Sequence, residues 1–116
     1  MKKYIKRLES LMTTKRPYLE HNLTLTSLAK RIGTNRTYLS IIFRDHYGTS
    51  FYGFVNSYRV QHAANLMKES DIIVRDAMTA SGFYSYNSFR NAFLEAYGCR
   101  PGEYLKMIKE AKNSEE

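Results

Sequence analysis

The feature that most constrains the fold is a repeat within the chain. Leu25, Leu28 and Gly33 recur as Val74, Ala77 and Gly82, 49 positions later. Leu39, Phe43, Tyr47 and Gly48 recur as Phe89, Phe93, Tyr97 and Gly98, 50 positions later, so the second copy gains one residue in its turn. Each copy reads as a short helix, a glycine-containing turn and a longer helix ending in Phe-x-x-x-Tyr-Gly. That order is the helix-turn-helix unit, whose second helix is pinned by apolar residues on one side and presents polar ones on the other.

Periodicity around the repeat is helical throughout. Sustained period-2 alternation is missing, and the 116 residues contain two prolines, Pro17 and Pro101. The fold class predicted is all-α, with about seven helices forming two helix-turn-helix units joined by a long central helix. The first helix runs from Lys3 to Thr14 and stops before Pro17, since a residue preceding proline avoids the α region. The second spans Leu25 to Ile32 behind the N-cap Thr24 and ends at Gly33. The third covers Asn35 to His46. The central helix, Ser50 to Glu69, is expected to bury Phe51, Phe54, Val55, Tyr58, His62 and Leu66, which step by three or four. A fifth helix runs from Ile73 to Ser81, a sixth from Ser85 to Gly98, and a seventh from Pro101 to Lys112, with 113–116 as a frayed tail. Residues 1–116 are read as one domain, with helix-turn-helix units at about 24–48 and 73–98 and a linker helix at 50–69.

The outward faces of the second helices carry the chemistry. With Leu39, Ile42 and Phe43 turned inward, Asn35, Arg36, Thr37, Ser40 and Arg44 are left outside; with Phe89, Ala92 and Phe93 inward, Tyr86, Asn87, Ser88, Arg90 and Asn91 are. Asn pairs bidentately with adenine and Arg with guanine in the major groove, while Ser and Thr suit several base edges. No acid falls on either face before Asp45 and Glu95. The net charge of +7 lies wholly in the first half: ten bases and three acids up to residue 58, eight of each after it. A basic excess of this kind suits a polyanionic partner.

Other classes are disfavoured on simple grounds. One cysteine, Cys99, permits neither an internal disulfide nor a cysteine-based zinc site. His21, His46 and His62 lack metal-ligand spacing, so no metal and no cofactor is expected. Asp45, His46 and Ser50 form a nominal triad, but neighbouring Asp and His point different ways on a helix and no oxyanion-hole motif accompanies them; no catalytic residue and no enzyme activity is expected. Apolar runs are too short to cross a bilayer, and the basic amphipathic start is not a signal peptide, which predicts a cytoplasmic protein with no membrane partner. Arg59 is expected to make a structural ion pair or lie on a solvated face, and Cys99 to be a small packed side chain. The competing class is a helical protein-interaction domain without base readout, with Ile41 and Tyr86 as its apolar surface.

Taken together, Leu25-x2-Leu28-Ala29-x2-Ile32-Gly33, Tyr38-Leu39-Ser40-x2-Phe43, Tyr58-Arg59-Val60-x2-Ala63-x2-Leu66 and Gly82-Phe83-x4-Ser88-Phe89-x3-Phe93-x4-Gly98-x2-Pro101-x2-Tyr104 resemble the DNA-binding domain of AraC/XylS-type bacterial transcription regulators over residues 23–105. The stretch from Pro17 to Ser40 is also similar to output domains that end hybrid two-component regulators. The resemblance implies sequence-specific binding of double-stranded DNA, with two recognition helices in successive major grooves about 34 Å apart. By position it assigns base reading to Asn35, Arg36, Thr37, Ser40 and Ile41, and to Tyr86, Asn87, Ser88, Arg90 and Asn91. Phosphate contact falls to Lys30, Arg31 and Arg44 and to backbone N–H groups at helix starts. It implies RNA polymerase as a partner if the protein activates, and a sensor or receiver module upstream. The chain departs from the family at Ile41 and Asn91, where a base-reading basic residue is common, at Arg100, and at Ala77-Met78, where a large aliphatic usually precedes alanine. The swapped order is expected to disturb packing in the second unit unless the two volumes compensate.

Overall fold

A computed structural model of the chain describes residues 1–115 and is helical throughout, with no strand among them. Its helices are α1 (Lys2–Thr14), α2 (Leu25–Arg31), α3 (Arg36–Ile42), α4 (Phe51–Glu69), α5 (Val74–Ala80), α6 (Tyr86–Tyr97) and α7 (Pro101–Glu115). The chain forms two compact units, Met1–Asn56 and from Ser57 onward.

The first unit holds α1 to α3. A single turn of 3₁₀ helix, Pro17–Leu19, follows α1 and was not expected; it buries Pro17 and Tyr18. Thr24 and Ser27 cap α2 reciprocally. The Ser27 N–H donates to Thr24 Oγ1 at 3.1 Å and the Thr24 N–H to Ser27 Oγ at 3.2 Å, a capping box with serine as the returning residue. The helix predicted to run through His46 keeps α geometry only to Ile42. Phe43–Tyr47 widen into a π-helical turn, in which the Thr49 N–H reaches back to the Phe43 carbonyl at 3.0 Å. Phe43, 1% exposed, packs its ring 4.8 Å from that of Phe54. Leu8, Leu28, Leu39 and Ile42 are fully buried, each contributing about 1.5–3 kcal/mol by burial.

The second unit centres on Val60, Ala63, Ala64, Met67, Ala77, Phe83, Phe89 and Phe93, with Met78, Cys99, Tyr104 and Leu105 at its margin. Two expectations are corrected here. The face of α4 buried in this unit is the stripe Val60, Ala63, Ala64 and Met67, while Tyr58, His62 and Leu66 are only half-buried. The small alanines admit neighbouring elements more closely than the large apolar stripe could, and that preference wins. The residues read as a frayed tail, 113–116, continue α7 to Glu115; Glu116 lies outside the described residues.

Arg59 does not lie on a solvated face. The residue is 9% exposed, its guanidinium carbon sits 5.8 Å from the centre of the Phe83 ring, and burial pulls its pKa down from the ordinary arginine value. A cation over an aromatic face holds its charge while shielded from water. Nearby, His62 Nδ1 meets the hydroxyl of fully buried Ser81 at 3.0 Å, tying α4 to the end of α5. At Ala77-Met78, Ala77 is 0% exposed and Met78 is partly buried against the same core, so both side chains meet one packed cluster.

Candidate nucleic-acid interface

The repeat read from sequence is repeated bond for bond. At the end of α2 the Gly33 N–H donates to the Lys30 carbonyl at 3.1 Å and the Thr34 N–H to the Ala29 carbonyl at 2.9 Å. At the end of α5 the Gly82 N–H donates to Thr79 at 3.1 Å and the Phe83 N–H to Met78 at 3.2 Å. Both are Schellman closures around a left-handed glycine, with φ +85° at Gly33 and +90° at Gly82. A side chain at Gly33 would also meet Arg7 Nη1 at 3.0 Å. The next helix begins at the cap Asn35 in the first unit and at Ser85 in the second, two and three residues past the glycine. The added residue of the second copy therefore sits in the turn.

The caps set how α3 and α6 present their outer faces. Asn35 Oδ1 accepts the Tyr38 N–H at 2.9 Å, and Ser85 Oγ accepts the Ser88 N–H at 3.4 Å. Beyond the caps, Arg36, Thr37 and Ser40 on α3, and Tyr86, Asn87, Ser88 and Asn91 on α6, are exposed. Ile41 and Arg90 are half-buried. Each set comes from one turn or two of one helix, so the structure brings the predicted base readers together within each unit.

The structure gives some of these residues other partners. Asn35 Oδ1 accepts a bond from its own helix, which takes one of that oxygen's two lone pairs and fixes the direction of the amide. Arg90 Nη2 donates to Asn91 Oδ1 at 3.3 Å, and Arg90 Nε is buried with no hydrogen-bond partner among the described residues. Arg90 and Asn91 thus engage each other. Of the predicted phosphate-contacting residues, Arg31 pairs with Glu20 at 3.0 Å and Arg44 with Asp45 at 2.8 Å. The Asp45 hydrogen bond raises the Arg44 pKa, and Arg44 holds the Asp45 carboxyl below its usual range. Lys30 is exposed and makes no ion pair among the described residues.

Tyr84, in the longer turn of the second unit, is 84% exposed and was missed.

No helix among the described residues is long and apolar enough to cross a membrane, and no group of three or more His, Cys, Asp or Glu among them could hold a metal ion.

Residues 28–107 match the family described as helix-turn-helix domain. The chain belongs to the AraC-type helix-turn-helix family. It is 35% identical over 85 residues to the uncharacterized HTH-type transcriptional regulator YtdP of Bacillus subtilis, a match covering 73% of this chain and 11% of that protein. The chain thus spans about a tenth of that relative. Among solved structures it is similar to the DNA-binding domain of the global transcriptional factor AdpA in complex with a target DNA (TM-score 0.80, 21% identity, 96% of each chain). It is also similar to an AraC-type DNA-binding domain-containing regulator from Chromobacterium violaceum (TM-score 0.75, 20% identity, 90% of this chain and 91% of that one). At these identities the two structures speak for the AraC-type fold, in which α3 and α6 are the second helices of the two motifs.

Proposed function

We propose that this chain binds double-stranded DNA sequence-specifically as the output domain of a bacterial transcription regulator, with α3 and α6 as its recognition helices. The observation that carries the reading is the duplicated motif, in which both outer faces are polar, exposed and free of acids over their first two turns. One such face is an ordinary solvated surface. Two, on equivalent helices of a basic chain, match what reading two blocks of bases needs.

Residues 1–116 act as one domain in this reading, and α3 and α6 enter successive major grooves about 34 Å apart. Arg36, Thr37 and Ser40 read the first block, with Ile41 offering an apolar contact to a thymine methyl. Tyr86, Asn87, Ser88 and Asn91 read the second, with Arg90 orienting Asn91. Asn35 contributes chiefly by holding α3 at its start. Lys30 meets phosphate directly, and Arg31 and Arg44 do so as members of ion pairs. The two faces differ, so the blocks differ. The protein is not an enzyme and works in the cytoplasm. RNA polymerase is its further partner where it activates, and a sensor or receiver module precedes it in the full-length protein, consistent with the small share of its relative that the chain spans.

Mobility shift with random duplexes at ~50 mM salt should show weak binding that fades as salt is added. Absence of any shift at that salt would overturn the reading and favour a protein-interaction domain.

A further inference from the structure

The first unit carries more positive charge away from its recognition helix than on it. In the segment α2 to Tyr47 there are four cations, Lys30, Arg31, Arg36 and Arg44, and two of these are paired with carboxylates. Residues 2–16 carry Lys2, Lys3, Lys6, Arg7, Lys15 and Arg16 against one acid, Glu9. None of these six makes an ion pair among the described residues.

Part of that charge converges. Lys6, Arg7, Ser10 and Thr14 of α1, its C-cap Lys15 and Arg31 of α2 line an open groove whose lining includes no carboxylate. Lys6, Ser10 and Thr14 follow one another at one-turn spacing along α1, so cations and hydroxyls share one wall. Arg7 joins this groove to the helix-turn-helix: its Nη1 donates to the Ile32 carbonyl at 3.2 Å, at the mouth of the turn that leads into α3. One turn earlier, Tyr4 sets its ring edge-on to Tyr38 of α3, with ring centres 5.5 Å apart. The groove is thus fixed to the element that carries the first recognition face.

We infer that this α1 groove is a second phosphate-binding surface, which takes backbone phosphates of the duplex beside the bases that α3 reads and supplies more of the salt-sensitive affinity than the cations of the motif. The inference rests on the DNA-binding reading above. It adds a contact surface built mainly on α1, a helix to which the motif gives no role, together with Arg31 of α2.

The test compares two charge-matched variants: Lys6→Gln with Lys15→Gln in the groove, and Lys109→Gln with Lys112→Gln on α7. All four lysines are exposed, and thermal unfolding checks that both variants fold. Affinity for a preferred duplex and for a random duplex is measured across a salt series. The groove pair should flatten the plot of log K against log salt by about 0.9 for each lysine that meets a phosphate. The loss should be equal on both duplexes, so the ratio between them is kept, and the α7 pair should leave the slope near that of the parent. An unchanged slope in the groove variant overturns the inference while the parent's binding upholds the DNA-binding reading; an equal change in both variants assigns the effect to net charge and also overturns it. Saturable binding of inorganic pyrophosphate at the groove with an unchanged duplex slope would make it a small-phosphate site instead. If the parent binds no duplex, the reading itself fails and the inference with it.

Discussion

Asn35 holds the start of α3 with the same oxygen that pairing with adenine would require: Oδ1 accepts the Tyr38 N–H at 2.9 Å. A bidentate Asn–adenine contact uses both the carbonyl and the NH₂, whereas the cap already takes one lone pair of the carbonyl and fixes the direction of the amide. Asn35→Ala should cost about 1 kcal/mol of stability, whereas Asn35→Ser, another good cap, should cost little. Asn35→Ser should also leave the preferred sequence of the first block unchanged. Chemical denaturation and duplex selection on the same variants check both statements; a changed base preference in the serine variant would restore Asn35 as a reader.

Arg36 is the arginine of the two recognition faces with no competing partner among the described residues. It is exposed in the first turn of α3 and makes no ion pair among the described residues. Arg36→Ala should weaken binding to the preferred duplex by about 1–3 kcal/mol and relax selectivity at one position of one block. Asn87→Ala should do the same in the other block. Competition against single-substituted duplexes separates the two; a uniform loss across all sequences would make Arg36 a phosphate contact.

Asp45 restrains Arg44. Asp45→Asn should strengthen duplex binding and steepen its salt dependence, because Arg44 would then meet phosphate with no carboxylate sharing its guanidinium. The sign with pH follows from the lowered Asp45 pKa: the stabilisation from the pair is complete above the ordinary Asp value of about 3.9 and is lost as pH falls through the lower folded value. Between pH 8 and pH 5 the restraint should therefore stay constant, and the difference in affinity between variant and parent should not change. A difference that vanishes toward pH 5 would contradict this account of Arg44.

Ala77 and Met78 share one volume problem in the second unit. Ala77→Leu alone should overpack the core around Phe83 and Phe89 and cost about 1–3 kcal/mol. Adding Met78→Ala, which gives the order usual in the family, should recover part of that loss. Denaturant midpoints of the single and double variants measure the coupling; additive effects would show that the two side chains do not compensate.

The repeat made most of this fold legible before any coordinates. Leu39, Phe43, Phe89 and Phe93 lie where the periodicity placed them, and Gly33, Gly48, Gly82 and Gly98 close helices at φ from +65° to +90°. Of the α4 face expected in the core, Phe54 and Val55 are buried, but its second half was misread because hydrophobicity was weighed and size was not: Ala63 and Ala64 are fully buried where Tyr58, His62 and Leu66 are not. The π turn at Phe43–Tyr47 has no composition signal. On the candidate interface, residue type and helical position picked out side chains that the structure leaves mostly exposed, but the sequence could not show which of them were already engaged. Arg31 with Glu20 is an 11-residue separation, and Asn35 and Arg90 bond within their own helices.

The most direct test of the central claim is selection of bound duplexes from a random pool by the unaltered chain. The account predicts one enriched site made of two unlike short blocks, centred about 10–10.5 base pairs apart. Arg36→Ala should erase preference in one block only, and Asn87→Ala in the other only. Recovery of no common sequence, or of a single block that both substitutions weaken alike, would contradict it.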